Sequence, residues 1–149
     1  MTKIRIATAK DIDIIVDFQL RMALETENLQ LNPEIVKNGV SSVFSDNSKG
    51  NYYVAEVYNQ VIASLLTTYE WSDWRNSTIL WLQSVYVLHD YRKQGIFRQM
   101  FLFIQEIVNS SEKYCGIKLY VDKTNTKAQK VYESVGMNGE HYITYEWMK

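Results

Sequence analysis

The stretch Val85-Tyr86-Val87-Leu88-His89-Asp90-Tyr91-Arg92-Lys93-Gln94-Gly95-Ile96-Phe97-Arg98 decides how the rest of the chain is arranged. An apolar strand ends at Val87, turn-forming positions follow, and Arg92-Lys93-Gln94-Gly95 leads into a long helix. A helix start carries backbone N–H groups without intrahelical acceptors and the positive end of the helix dipole, so a phosphate can settle there. Arg92, Lys93 and Arg98 add positive charge around those amides. The plainer reading is a solvated basic turn ahead of an ordinary helix.

Downstream, Ile96, Met100, Phe103, Ile104, Ile107 and Val108 recur at helical spacing and predict an amphipathic helix ending in Asn109-Ser110-Ser111. Upstream, residues 79–87 form the last of three expected strands. The others run from Tyr52 to Tyr58 and from Val61 to Tyr69, with Asn59-Gln60 as a two-residue turn. Trp71 to Asn76 reads as an exposed loop, so the three strands make an antiparallel meander.

At the N-terminus, Ile4 and Ile6 alternate with Lys3 and Arg5 as an edge strand, and Thr8-Ala9-Lys10-Asp11 is a capping-box pattern. The helical spacing of Ile12, Ile15, Val16, Gln19, Leu20, Ala23 and Leu24 predicts a helix ending near Glu25-Thr26-Glu27. Asn32-Pro33-Glu34 starts a second helix that stops before Ser45. After the central helix come a strand at 117–121, a helix over 125–135 with Gly136 as its left-handed terminator, and a closing strand at 141–148. The order β α α β β β α β α β predicts an α/β (α+β) fold, a single mixed and mostly antiparallel sheet flanked by helices. With no repeats and no low-complexity linker, one domain over residues 1–149 is expected.

Composition narrows the function. At 149 residues the chain can bury roughly 68–70% of its unfolded surface. A formal net charge of −1 gives no clustered basic excess for nucleic acid. One cysteine, Cys115, excludes an internal disulfide, and two distant histidines, His89 and His141, argue against a metal site. There is no run of about 18 apolar residues to span a membrane and no leader-like h-region, so a cytoplasmic address is expected.

Two motifs resemble the GNAT-type N-acetyltransferase superfamily. One is the acetyl-CoA signature Val-x-x-x-x-Arg/Gln-x-x-Gly-x-Gly/Ala, here running from Val87 through Arg92 and Gly95 to Phe97. The other is Asn-x-x-Ala-x-x-x-Tyr-x-x-x-Gly-Phe, here Asn125, Ala128, Tyr132, Gly136 and Met137. Phe97 stands where the family usually has a small residue, and its ring is expected to pack beside Phe101.

The resemblance implies a GNAT-like fold with a splayed central parallel strand pair, acetyl-CoA as acyl-donor cosubstrate, no metal, and direct attack by a primary amine in a ternary complex. It assigns the pyrophosphate to the backbone of about Lys93, Gln94, Gly95, Ile96, Phe97 and Arg98, with Arg92 beside them. It gives the main chain of Val85, Tyr86 and Val87 to the pantetheine arm, with free N–H groups there for a developing oxyanion. Tyr132 would protonate the departing thiolate, although the same position also suits a core tyrosine. Asn125 would contact the cofactor or cap its helix.

No acid lies in the strand at 79–87, so the candidates for receiving the amine's proton or charge are Glu25, Glu27, Glu70 and Asp73. The loop around Trp71 and Trp74 joins acids to indoles and suits either a cationic amine or a homodimer contact. The alternative function is a non-catalytic acyl-CoA-binding sensor on the same fold.

Overall fold

Alternating side chains on neighbouring strands build two buried faces on one sheet. The structure, a computed structural model, describes all residues Met1–Lys149 and divides into two compact units, Met1–Lys118 and Leu119–Lys149. The first holds β1 (Lys3–Ile6), α1 (Ile12–Glu27), α2 (Pro33–Ser45), β2 (Asn51–Val57), β3 (Gln60–Ser72), β4 (Ser77–Val87), α3 (Ile96–Asn109) and β5 (Tyr114–Lys118). The second holds α4 (Thr126–Ser134).

The five strands lie in the order β1-β2-β3-β4-β5, antiparallel except for the parallel β4–β5 pair. Tyr52, Val54 and Leu66 point to one face and pack with Ile15 and Val16 of α1 and Val40 of α2. Tyr53, one position out of phase, points to the other face, where its ring lies 5.9 Å from that of Phe103 on α3. The mixed sheet with helices on both faces is the expected architecture.

Local chemistry explains most boundaries. Asn32 accepts the Glu34 N–H at 2.9 Å, with Pro33 at the first position of α2. The Asp11 carboxylate accepts the Thr8 N–H at 2.7 Å and also takes Arg5 Nη1 at 2.8 Å, which fastens β1 to the single 3-10 turn that opens α1. Arg5 Nε reaches Glu56 of β2 at 3.0 Å, so one guanidinium joins three segments.

Three expectations need correction. The β2–β3 turn is Tyr58-Asn59, both left-handed (φ 50° and 63°), because Val57 pairs directly with Gln60. Two consecutive positive φ values match the twist of a tight hairpin. The strand expected at 117–121 is β5 at Tyr114–Lys118, where pairing with Thr78–Trp81 sets the register, including Gly116 opposite Ile79. The closing strand expected at 141–148 does not form, and residues 138–149 contain no helix or strand. Its alternation is loose, since Tyr142 and Ile143 are adjacent, and a strand exists only where a neighbouring strand takes its hydrogen bonds.

Candidate active site

The candidate site begins at a fork in the sheet. Parallel pairing of β4 with β5 runs from Thr78–Tyr114 to Trp81–Lys118 and stops there, while β4 continues to Val87. Just past the fork β4 bulges: Gln83 pairs with Leu66 and Tyr86 with Ser64, so Ser84 and Val85 together oppose Leu65. Ser84 takes a left-handed φ of 51°, unusual for a residue other than glycine. A bulge re-aims the backbone groups around it, and bulges cluster beside active sites. The stretch of β4 that resembles the pantetheine-binding strand is therefore both unpaired on its β5 side and redirected.

The chain then enters the turn. A 3-10 turn at His89–Tyr91 is followed by Lys93 at φ 61° and Gly95 at φ 74°. Gln94 folds back, its Nε2 donating to Asp90 O at 2.8 Å. Gly95 is the N-cap of α3 and supplies no side-chain cap, and the first turn of that helix holds no acidic residue. Its first N–H groups thus have no intrahelical acceptor and meet no competing carboxylate from the helix itself. Ile96 is buried and anchors the helix start in the core. The Phe97 ring packs at 6.2 Å from Phe101, as expected, so it lies along the helix. This glycine-initiated helix start, with Lys93 and Arg98 close by in sequence, fits a diphosphate.

Arg92 has a different set of partners from the one its sequence neighbourhood suggests. Its Nε donates to Val87 O at 2.9 Å, its Nη2 lies 2.6 Å from Glu25 Oε2, and its guanidinium sits 5.4 Å from the centre of the Tyr86 ring. Tyr86 Oη donates to Glu25 Oε1 at 2.8 Å, and its ring packs 5.1 Å from Phe18. Partial burial would raise the Glu25 pKa, but Arg92 and Tyr86 together outweigh it and hold the carboxylate below its ordinary value. Burial and the Glu25 carboxylate push the Tyr86 phenol up. Sequence reading names Glu25, Tyr86 and Arg92 separately but not their contact. The one local hint is that α1 ends with Glu25 and Glu27 and no basic residue in its last turn. That arrangement opposes the helix dipole by about 0.3–1 kcal/mol per charge.

A second polar group lies at the fork. Lys118 Nζ sits 3.0 Å from Glu70 Oε2, and Trp81 Nε1 donates to Glu70 Oε1 at 3.2 Å. Beside them Gln83 Nε2 donates to Thr68 Oγ1 at 2.6 Å. Glu70 on β3 is thus joined to β4 and β5 at the level where their pairing ends. Trp71 follows Glu70 on β3, where it pairs with Thr78 and is exposed. Asp73 lies at the β3–β4 hairpin tip, where its Oδ1 accepts the Trp74 N–H at 3.0 Å and Trp74 is exposed. β4 has 11 residues, so that tip is separated from the turn after Val87 by roughly 35 Å of strand. Strand 79–87 offers Gln83 and Ser84 in sequence, but Lys118, the contact of Gln83 with Thr68 and the bulge at Ser84 depend on register and are not legible there.

In the second unit, Asn125 caps α4 by accepting the Ala128 N–H at 3.1 Å. Gly136 adopts φ 89° after the helix, and Met137 N–H reaches back to Tyr132 O at 3.1 Å. Tyr132 is partly buried, and burial pushes its phenol above the ordinary value. No group of three or more His, Cys, Asp or Glu side chains is arranged to hold a metal ion. No helix is long and apolar enough to cross a membrane.

The comparisons agree with this geometry. Residues 18–137 match the model of the Acetyltransferase (GNAT) family. The crystal structure of "a possible acetyltransferase" from Clostridium difficile 630 is 41% identical, with all of this chain and 98% of that one aligned at a TM-score of 0.92. A "predicted acetyltransferase with acetyl-CoA" from Clostridium acetobutylicum shares the fold at 19% identity and TM-score 0.76, over 98% of this chain and 96% of that one. So does an aminoglycoside acetyltransferase in complex with sisomicin, from an uncultured soil metagenomic sample, at 14% identity and TM-score 0.78, over 99% and 95%. No curated protein matches this chain in sequence. With a forked mixed sheet, a glycine-initiated helix after the fork, and a family match over most of its length, this chain belongs to the GNAT acetyltransferase family.

Proposed function

We propose that this protein is an acetyl-CoA-dependent N-acetyltransferase that moves an acetyl group to a primary amine of a small molecule or peptide, by direct attack in a ternary complex. The observation that carries this reading is one continuous stretch: β4 leaves β5 at Trp81, bulges at Ser84 and delivers the chain to the uncapped start of α3 at Gly95. Acetyl-CoA supplies an acyl group activated as a thioester. The backbone around Lys93 to Arg98 receives its diphosphate, and the unpaired edge of β4 from Leu82 to Val87 receives its amide-bearing arm. N–H groups redirected by the bulge stabilise negative charge that develops on the acyl oxygen.

An alkylamine of reference pKa about 10.4 is almost wholly protonated near neutrality and must lose a proton before it attacks. Glu70, at the fork, accepts that proton through water, and the amine's positive charge competes with Lys118 for the same carboxylate. Tyr132, which the motif resemblance points to, gives a proton to the departing thiolate.

The test is release of free thiol from acetyl-CoA across polyamines, amino acids, aminoglycosides and lysine peptides. The expected result is acceptor-dependent thiol release with at least one amine class. Stabilisation of the protein by CoA, with no turnover on any class, would overturn the catalytic reading in favour of a sensor.

A further inference from the structure

We infer that Glu25 is a positioning residue for the acyl-donor turn, acting on the turn through Arg92; this rests on the acyl-donor reading above. Three groups locate the Arg92 guanidinium: Val87 O at 2.9 Å, Glu25 Oε2 at 2.6 Å and the face of the Tyr86 ring at 5.4 Å. The first and third belong to the end of β4, the strand that receives the donor's arm. The second belongs to the last turn of α1, 67 positions away in sequence. Tyr86 Oη completes the arrangement by donating to the other Glu25 oxygen at 2.8 Å. Both carboxylate oxygens are therefore engaged.

Arg92 lies three positions before Gly95, with left-handed Lys93 between them. Any displacement of Arg92 is passed directly to the backbone that starts α3. Because its guanidinium is matched by a carboxylate, Arg92 shapes the turn and leaves diphosphate binding to backbone N–H groups and the neighbouring cations. This explains a local oddity. A carboxylate in the last turn of a helix, among no basic residues, opposes the helix dipole, and such local conflicts concentrate at functional sites. Here the conflict is resolved by a cation from the donor turn.

The deciding experiment is calorimetric titration with CoA of the wild type, Glu25→Gln, Arg92→Gln, the double variant and Glu25→Asp, beside melting curves without ligand. The expected result is that each glutamine variant weakens CoA binding by roughly 5- to 50-fold, with the double variant no weaker than the worse single one. Glu25→Asp, which keeps the charge, binds more tightly than Glu25→Gln. The inference is overturned if Glu25→Gln binds CoA within about twofold of the wild type, or if the two single losses add in full. Weakened binding in Glu25→Asp beside unchanged binding in Glu25→Gln would make the effect one of shape and would also overturn it. A wild type that binds no CoA would instead overturn the acyl-donor reading itself.

Discussion

Lys118 Nζ lies 3.0 Å from Glu70 Oε2, so a residue at the end of β5 is joined to a residue on β3 across the intervening β4. The contact sits where β4 and β5 cease to pair, and Trp81 of β4 donates to the same carboxylate. Both side chains are part-exposed, so the pair adds little stability, and its placement is the informative property.

Glu70→Gln is expected to lower kcat for the amine acceptor by about 100-fold, the lower end of what general acid–base groups contribute. KM for acetyl-CoA should stay unchanged, because the substitution keeps shape and removes only charge and basicity. Steady-state kinetics with each substrate varied in turn separates the two. An unchanged kcat would move proton acceptance to another group.

Tyr132→Phe is expected to lower kcat by about 100-fold with little change in KM for either substrate. Burial raises the phenol's pKa, so the proton-donating form persists through neutral pH and declines only above about 10. A pH–rate profile should therefore show no loss of the acid below that range. Full activity in the phenylalanine variant would remove Tyr132 from the chemistry.

At Gly95 a methyl group would meet no neighbour within 4 Å, so the cost of Gly95→Ala comes from its φ of 74° alone. The expected destabilisation is about 1–2 kcal/mol, or a melting temperature lower by roughly 2–8 °C. Gly95→Asn should cost less, since asparagine tolerates left-handed backbone. Thermal melts of the two variants check the order. A melting point unchanged in Gly95→Ala would mean that the turn relaxes.

Asp11 supplies a test of acid stability. Its hydrogen bonds with Arg5 hold its pKa below the ordinary value against the opposing effect of burial. A lowered folded pKa means that the contribution is present above the unfolded value of about 3.9 and is lost as pH falls through the lower folded one. Asp11→Asn should cost about 2–3 kcal/mol at pH 7, because its side chain is 7% exposed and Arg5 keeps Glu56 as its one carboxylate. Denaturant melts from pH 7 to pH 3 should show the difference between wild type and variant shrinking below pH 4. A constant difference across that range would exclude the ion pair as its source.

Much of the architecture was legible from local pattern. Period-2 alternation gave the meander, helical spacing gave α1 and α3, and Asn32-Pro33 placed the start of α2. The closing strand failed because alternation describes faces and carries no information about a neighbour. β5 was displaced toward the N-terminus because register is set by Thr78–Trp81, far away in sequence. The turn before α3 was readable because glycine, basic residues and the onset of helical spacing are contiguous. Ser84 gave no signal, since nothing in its side chain announces a left-handed φ.

By itself, the sequence determined the order of helices and strands from β1 to α4, the helix start at Gly95 and the pair of motifs that resemble the GNAT family. Those properties depend on residues within a few positions of one another, where propensity, capping and turn chemistry act. Tertiary structure alone decided that Arg92 turns toward Glu25, that Glu70 meets Lys118 at the fork, and that Asp73 lies at the other end of β4. Ion pairs and strand registers join segments whose separation along the chain is arbitrary. Only the closing of the sheet and the docking of α1 upon it bring their charges within reach.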